Sequence, residues 1–465
     1  MNLNKVKKVY MIGVKGVGMT MLAQYLAARN IEISGSDGPE KYMTDSVLSI
    51  AGVKVIEKFD SENIPENADL IIYSTAYNAE TNVEVAAALK GKIKILSYAE
   101  ILGEIFNKKY GIAVVGSHGK TTTTAWLGYV MKMSGIDPSV MVGARVPQFA
   151  GCSLVGKSDY LAVEADEYQN KLKYYMPKAV LLNNIDYDHP DFFKTKKSYE
   201  NVFAEFVKKI PPKGFLIANF DDSAVRKIAK ADCGGRIITY SVGRAADYAA
   251  YGIRAEGGRQ YFKVKSRIEN EVWDFSIRLA GNHNIYNALA VIAACRELKI
   301  DVSKIKKHLG QFKGAERRMQ ILGQFKGAEI IDDYAHHPTE IKAVVGAIRQ
   351  KYGDRKLIAV FHPHTFTRTK ALFKEFVRSF SGIDELIVMS IYGSAREKQG
   401  GVSGEDLVEA ITRDNKKTKK PQKVSYIPSL EQCEKYLREH ARENDVIVLI
   451  GAGDIFRVGK NLIKK

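Results

Sequence analysis

Four apolar residues, Ile112-Ala113-Val114-Val115, run directly into Gly116-Ser117-His118-Gly119-Lys120-Thr121-Thr122. This junction restricts the fold more than any other stretch. A short apolar run bounded by a turn signal reads as a strand buried on both faces. The residues after the turn, 125–133, suit a helix. A loop that leaves a buried strand and enters a helix aims backbone N–H groups and the helix dipole at one point, where phosphate fits. Lys120 would reach the terminal phosphates, and the Thr121 hydroxyl would sit on Mg²⁺. Two residues separate Gly116 from Gly119, so the loop is a shortened variant of the usual, longer phosphate loop.

A chain of 465 residues suggests roughly two to four domains. No apolar run approaches the roughly 20 residues that span a membrane, so membrane insertion is not expected. The N-terminal lysines precede an apolar stretch broken by Gly13, Gly16 and Gly18, which reads as a first strand and loop rather than a signal peptide. Cys152, Cys233, Cys295 and Cys433 lie far apart with no Cys-x-x-Cys. Reduced thiols in the cytoplasm are expected, without a zinc site. The formal charge of +17 favours anionic ligands. The lysines are spread, as at residues 5–8, 194–197 and 416–420. No basic stripe alternates with aromatics, so no nucleic-acid partner is expected.

In chain order, residues 9–12 lead into Gly13-Val14-Lys15-Gly16-Val17-Gly18, then a helical pattern to Ala28, then a second strand ending at Asp37. Strand, glycine turn, helix, strand and acid form the layout of a dinucleotide-type βαβ unit. The glycine spacing differs from the nicotinamide fingerprint, and Lys15 lies inside the turn. Its charge either adds to a diphosphate cradle or is simply solvated. The solvated state is the favoured expectation. Residues 70–73 form a strand ending at Ser74 and Thr75, which either contact a ligand or cap the next helix. In the second region, the strands 160–163 and 179–182 run into Glu164-Ala165-Asp166-Glu167 and Asn183-Asn184-Ile185-Asp186-Tyr187-Asp188-His189. Parallel pairing would bring both ends to the rim of the phosphate loop. Carboxylates there suit Mg²⁺, with His189 as a further ligand. Gly281-Asn282-His283-Asn284-Ile285-Tyr286-Asn287 opens a long amphipathic helix, with Asn282 or Asn284 as its N-cap and planar amides suited to an adenine edge. A third α/β region places Asp332-Asp333-Tyr334-Ala335-His336-His337-Pro338-Thr339-Glu340 and His362-Pro363-His364-Thr365-Phe366-Thr367-Arg368-Thr369 after strands.

At these motifs, in this order and spacing, the chain resembles the Mur ligase family over nearly its whole length. The resemblance implies three α/β domains: an N-terminal Rossmann-like domain (1–107), a central P-loop ATPase-type domain with a parallel sheet (108–314) and a C-terminal Rossmann-like domain (315–465). It implies ligation of L-alanine to the carboxylate of UDP-N-acetylmuramate, with ATP and Mg²⁺, in peptidoglycan precursor synthesis. By residue match, Gly13, Gly16, Gly18 and Asp37 would hold the UDP part, with Ser74 and Thr75 nearby. Residues Gly116, Ser117, His118, Gly119, Lys120, Thr121 and Thr122 would hold ATP. Thr121, Glu164 and His189 would hold the metal. Asn282, His283 and Asn284 would lie near adenine, with Arg317, Arg318 or Asp333 near its sugar and phosphates. Tyr334, His336 and Arg368 would shape the amino-acid pocket. Lys120, His189, His336 and Arg368 are the catalytic candidates. A monomer or homodimer is expected.

Three positions depart from the family pattern. Lys15 stands where glycine is common. Ala204 stands where many relatives carry a modified metal-site lysine, so no such lysine is expected. Thr365 stands where some alanine-adding members have arginine, leaving Arg368 for the alanine carboxylate. The alternatives are a ligase that attaches a whole peptide to the same UDP-sugar, an NAD(P)-dependent oxidoreductase built on the first glycine loop, and a P-loop ATPase switch.

Overall fold

The computed structural model describes residues 5–393, 397, 399–415 and 421–464; the lysine run 416–420 lies outside these. Its strands form three sheets of five, ten and six strands.

The first sheet is parallel throughout, in the order Lys54–Ile56, Glu32–Ser36, Lys8–Ile12, Leu70–Tyr73, Ile95–Ser97. The strand order reverses beside Lys8–Ile12, and ligands bind beyond the carboxyl ends of strands at such a switch point. The glycine loop of residues 13–18 leaves the sheet there and enters the helix Val17–Ala27.

The second sheet runs Glu271–Ile277, Arg259–Ser266, Tyr248–Glu256, Arg236–Ser241, Phe215–Asn219, Ala179–Leu182, Tyr110–Val115, Tyr160–Glu164, Ser139–Val146, Gly151–Leu154. Its centre is parallel, and antiparallel hairpins finish both edges. The parallel strands are apolar runs because both faces are covered, as such sheets require. Tyr110–Val115 lies between Ala179–Leu182 and Tyr160–Glu164. The phosphate loop, Glu164 and Asn183 therefore emerge side by side. The edge strand Gly151–Leu154 is covered by the first helix: Cys152 N and Ser153 N both donate to Gln24 Oε1 at 3.0 Å. A side-chain amide thus satisfies an edge that would otherwise be exposed.

The expected amphipathic helix is instead a buried one. Asn282–Glu297 buries Asn284, Ile285 and residues 287–295. It packs between the helix Lys120–Met133 and the second sheet. Only its first residues and last turn reach the surface, so the apolar pattern runs all round rather than in a stripe. Ile285, Leu289 and Ile292 are fully buried, each contributing about 1.5–3 kcal/mol.

The third sheet runs Gln320–Phe325, Ala328–Asp333, Val446–Ile450, Leu357–Phe361, Glu385–Val388, Lys423–Tyr426, parallel except for the first strand. The carboxyl ends of Ala328–Asp333 and Leu357–Phe361 carry the histidine-rich turns and face the phosphate loop.

Candidate functional site

Gly116 and Gly119 both take left-handed backbone, with φ of 127° and 79°. A Cβ on Gly119 would lie 2.5 Å from Asn287 Oδ1, so the loop closes onto the buried helix only without a side chain there. Gly119 is also the N-cap of the helix Lys120–Met133. The Lys120 ammonium donates to Gly116 O (2.6 Å) and Glu167 Oε2 (3.0 Å), and approaches Ser117 O (3.3 Å). Burial works against its charge, but Glu167 and Asp166 outweigh burial and lift it above the ordinary lysine range. Lys120 is therefore a fixed cation at a glycine turn and helix N-terminus, a geometry that suits an anion. Ser117 donates to Asp186 O at 2.7 Å. Thr122 lines the adjoining cavity, with His118 and Gly119.

The Thr121 hydroxyl donates to Glu164 Oε1 at 2.7 Å, and Glu164 Oε2 accepts from Gly143 N at 2.6 Å. The second acidic group is Asp166, Glu167 and His189, with ligand atoms all within 4.8 Å of one another. Burial opposes the Asp166 charge, but Lys171, His189 and Lys120 hold that carboxyl down to about 2. His189 has a left-handed φ of 55° and lies against the Tyr168 ring, centroids 4.6 Å apart. Hydroxyl and carboxylate oxygens beside a phosphate loop form a hard-donor set that fits Mg²⁺. Asp166 and Glu167 escaped assignment from sequence, although they adjoin Glu164 at the same strand end. Nothing local distinguishes them from solvated acids; only parallel pairing brings them opposite Lys120.

A cavity of about 810 Å³ opens beside this loop, lined by His118, Asn183, His283, Asn284 and Asn287 from the central unit and Arg318 from the chain beyond it. Neither Asn282 nor Asn284 caps the buried helix. Gly281, at φ 92°, is the N-cap and provides no side-chain bond. The reason is that Asn284 donates to Ala280 O (2.7 Å) and accepts from Asn287 Nδ2 (3.1 Å), a lateral amide chain rather than a cap. Asn282 is exposed and outside the cavity lining. Its neighbour His283 faces the cavity, and burial with Arg318 nearby pushes its imidazole down to about 4. Asn287, unassigned from sequence, lines the cavity beneath Gly119.

Asp333 accepts from Met319 N (2.7 Å) and Ala335 N (2.8 Å). Burial raises its carboxyl to about 6 against the pull of Arg318. The Arg318 and Arg317 guanidiniums lie over the Tyr334 ring at 5.3 and 4.9 Å. Arg317 itself is tied to Asp332 (3.1 Å) and Gly451 O (2.6 Å). His336 is kept neutral by burial, down to about 4, with its Nδ1 3.0 Å from Tyr334 O. Arg368 is buried and grips Asp188 across the unit boundary, Nε to Oδ1 at 2.8 Å and Nη2 to Oδ2 at 3.3 Å. Nη1 reaches His364 O at 3.3 Å. Nη1 also lies 3.4 Å from His364 Nδ1, so most of the five donors of the fork are engaged.

At the glycine loop, Lys15 corrects the expectation of a solvated side chain. It is 3% exposed. Its ammonium donates to Gly38 O (2.8 Å), Glu40 O (2.9 Å) and Glu57 Oε1 (3.1 Å). The next loop passes directly over the turn, so the four-carbon stem is covered. Asp37 accepts from Lys15 N (2.7 Å) and Gly38 N (2.8 Å). Gly13 has φ 79°, and a Cβ there would lie 2.7 Å from the Tyr77 ring. Gly16 is the N-cap of Val17–Ala27, and Gly18 stands in its first turn against Tyr98. Ser74 Oγ accepts from Ala76 N at 3.2 Å, closing a turn, and Thr75 follows it half-buried at the same strand end.

Comparison with known proteins adds an independent result. Three family models match in tandem: "Mur ligase family, catalytic domain" over residues 8–110, "Mur ligase middle domain" over 114–295, and "Mur ligase, glutamate ligase domain" over 317–453. The UDP-N-acetylmuramate–L-alanine ligase of Desulfitobacterium hafniense is 39% identical over 459 residues, covering 98% of this chain and 99% of that protein. That of Alkaliphilus metalliredigens is 37% identical, covering 100% of this chain and 98% of that protein. The solved UDP-N-acetylmuramate–alanine ligase of Thermotoga maritima superposes with TM-score 0.83 at 22% identity, covering 98% of each chain. A murein peptide ligase from Psychrobacter arcticus gives 0.75 at 24%, again covering 98% of each. The two structures show the shared fold.

Proposed function

The chain belongs to the Mur ligase family, and from that premise we propose that it joins L-alanine to the carboxylate of UDP-N-acetylmuramate, with ATP hydrolysed to ADP and phosphate, in peptidoglycan precursor synthesis. The observation that carries this reading is likeness over the full chain to ligases of that name. In this reading residues 1–107 take the UDP-sugar, 108–314 take ATP, and 315–465 bring the amino acid. Among the described residues no helix is long and apolar enough to cross a membrane, and the four cysteines are free thiols. Work in the cytoplasm is part of the same proposal.

The charge pattern explains how such a site would operate. The muramoyl carboxylate attacks the γ-phosphorus of ATP, giving an acyl phosphate and ADP. The alanine amine then attacks the acyl carbon, and phosphate leaves with the C–O bond electrons. Lys120 holds a positive charge where the transferred phosphoryl oxygens gather, and the loop amides add fixed dipoles. Thr121, Glu164 and His189, with Asp166 and Glu167, would hold Mg²⁺, which neutralises phosphate oxygens when bound. His283, Asn284 and Asn287 line the cavity suited to a purine; Arg318 and Asp333 flank it. Neutral His336 can accept the proton that the attacking amine releases. Arg368, steadied by Asp188, would bring its positive charge to the alanine carboxylate. The backbone of Gly13, Gly16 and Gly18 would cradle the UDP diphosphate. Asp37, whose oxygens are both engaged by amides, would shape that cradle.

ADP release tests the proposal. It should require UDP-N-acetylmuramate and L-alanine together. Release with the UDP-sugar and a tripeptide, but not with L-alanine, would point instead to the peptide-attaching ligase.

A further inference from the structure

Glu340 stands third in the helix Pro338–Tyr352, which His337 caps by accepting from Thr339 N. Its carboxylate has two occupants. Oε2 accepts from His336 N at 3.0 Å. Oε1 lies 3.2 Å from His118 Nδ1, inside the phosphate loop of the central unit. The other His118 nitrogen lies 3.0 Å from Asp186 Oδ2, which also accepts from Thr339 Oγ1 at 2.6 Å. Beside these, the His118 and His337 rings meet at 4.8 Å between centroids, and His337 Nε2 lies 3.3 Å from Tyr187 O. One helical turn of the C-terminal unit is therefore seated directly on the phosphate loop. Glu340 touches both the loop and the backbone of His336.

We infer that Glu340 is a positioning residue for amine transfer: it sets the register between the phosphate loop, where the acyl phosphate forms, and the turn carrying His336, where the amino acid waits. The inference rests on the ligase reading above. A contact that holds two reacting halves in register acts on turnover, because a misplacement of about 1 Å can cost about a hundredfold. A mere helix cap would act on stability instead. Glutamine separates the two roles. An amide oxygen at this helix position still accepts from the backbone, but it brings no charge to His118.

The test uses the full chain, with ADP release measured while each substrate is varied. Glu340→Gln should lower kcat at least about tenfold and leave KM for ATP and UDP-N-acetylmuramate within about threefold. His118→Gln should lose a similar factor, and the double variant should be no worse than the poorer single, since both remove one contact. Normal turnover in Glu340→Gln, or losses that multiply in the double variant, would overturn the inference. If Glu340→Gln melts early, the His118→Gln profile and its kcat-against-KM split decide the matter. Failure of the unaltered protein to release ADP with both substrates would overturn the ligase reading itself, and the inference with it. Activity that Lys120→Ala abolishes but Glu340→Gln spares would overturn the inference alone.

Discussion

Two loops in this molecule follow the same local grammar and do opposite things with a lysine. Each leaves a buried parallel strand, turns through at least one glycine at positive φ (Gly13 in the first, Gly116 and Gly119 in the second), carries a lysine, and enters a helix. Each lysine even has the same kinds of partner, two main-chain carbonyls and a carboxylate. The difference lies in who owns them. Lys120 bonds to carbonyls of its own turn, Gly116 and Ser117, and to buried Glu167 of the metal-type cluster. Lys15 bonds to Gly38 and Glu40 on a different segment. Its ammonium is a strut between loops, and releasing it would leave carbonyls unpaired. In the proposed reading Lys120, whose carbonyl partners lie in its own turn, is the lysine that meets phosphate, and Lys15, tied to a different segment, is a structural one.

The largest expected effect breaks the comparison at its catalytic end. Lys120→Ala should lower kcat by about 10²–10³-fold while circular dichroism stays near that of the unaltered chain. Near-normal turnover in a folded variant would remove Lys120 from the chemistry. Next, Glu164→Gln should raise the Mg²⁺ concentration for half-maximal rate about tenfold, because it removes a charge from the hard-oxygen set. Asp37→Asn, the matching change at the other loop, should leave the Mg²⁺ response alone. Equal shifts for both would erase the distinction.

Lys15→Met should act on the fold instead. A loss of about 1–3 kcal/mol in denaturant unfolding is expected from the carbonyls it strands, with a raised KM for UDP-N-acetylmuramate and an unchanged KM for ATP. A stable variant with lost turnover would make Lys15 a ligand after all.

The smallest effect concerns pH. Burial opposes charge on His118, but hydrogen bonds to Asp186 and Glu340 raise it to about 9, above the unfolded value of about 6.5. The stability it contributes is complete below about 6.5 and is lost as pH rises through about 9. Glu340→Gln should flatten that loss by removing one source of the shift. An unchanged alkaline profile, followed by melting temperature, would mean that His118 is not charged in the folded state.

Much of the site was readable because its parts follow strands. The apolar runs, the glycine turns, Lys120, Thr121, Glu164 and the histidine-rich turns were all placed by a rule that needs only local pattern: polar residues after a buried parallel strand gather at one rim. The α/β class followed from the same periodicity. What failed also shares a cause. The cap of the helix Asn282–Glu297, its all-round burial and the exposure of Asn282 depend on which neighbours cover each side, and three asparagines in a row of motifs look alike without them. Lys15 looked solvated because nothing in residues 13–18 announces that residues 38–40 will lie over them. Asp166, Glu167, Asp188 and Glu340 became part of the site only through partners far along the chain, as Arg368 did in choosing Asp188. Local sequence determined where charges and turns would stand, since those follow from backbone geometry and burial pattern. Only the tertiary structure decided which charge meets which, because an ion pair is a distance, and distances between remote segments are set by packing.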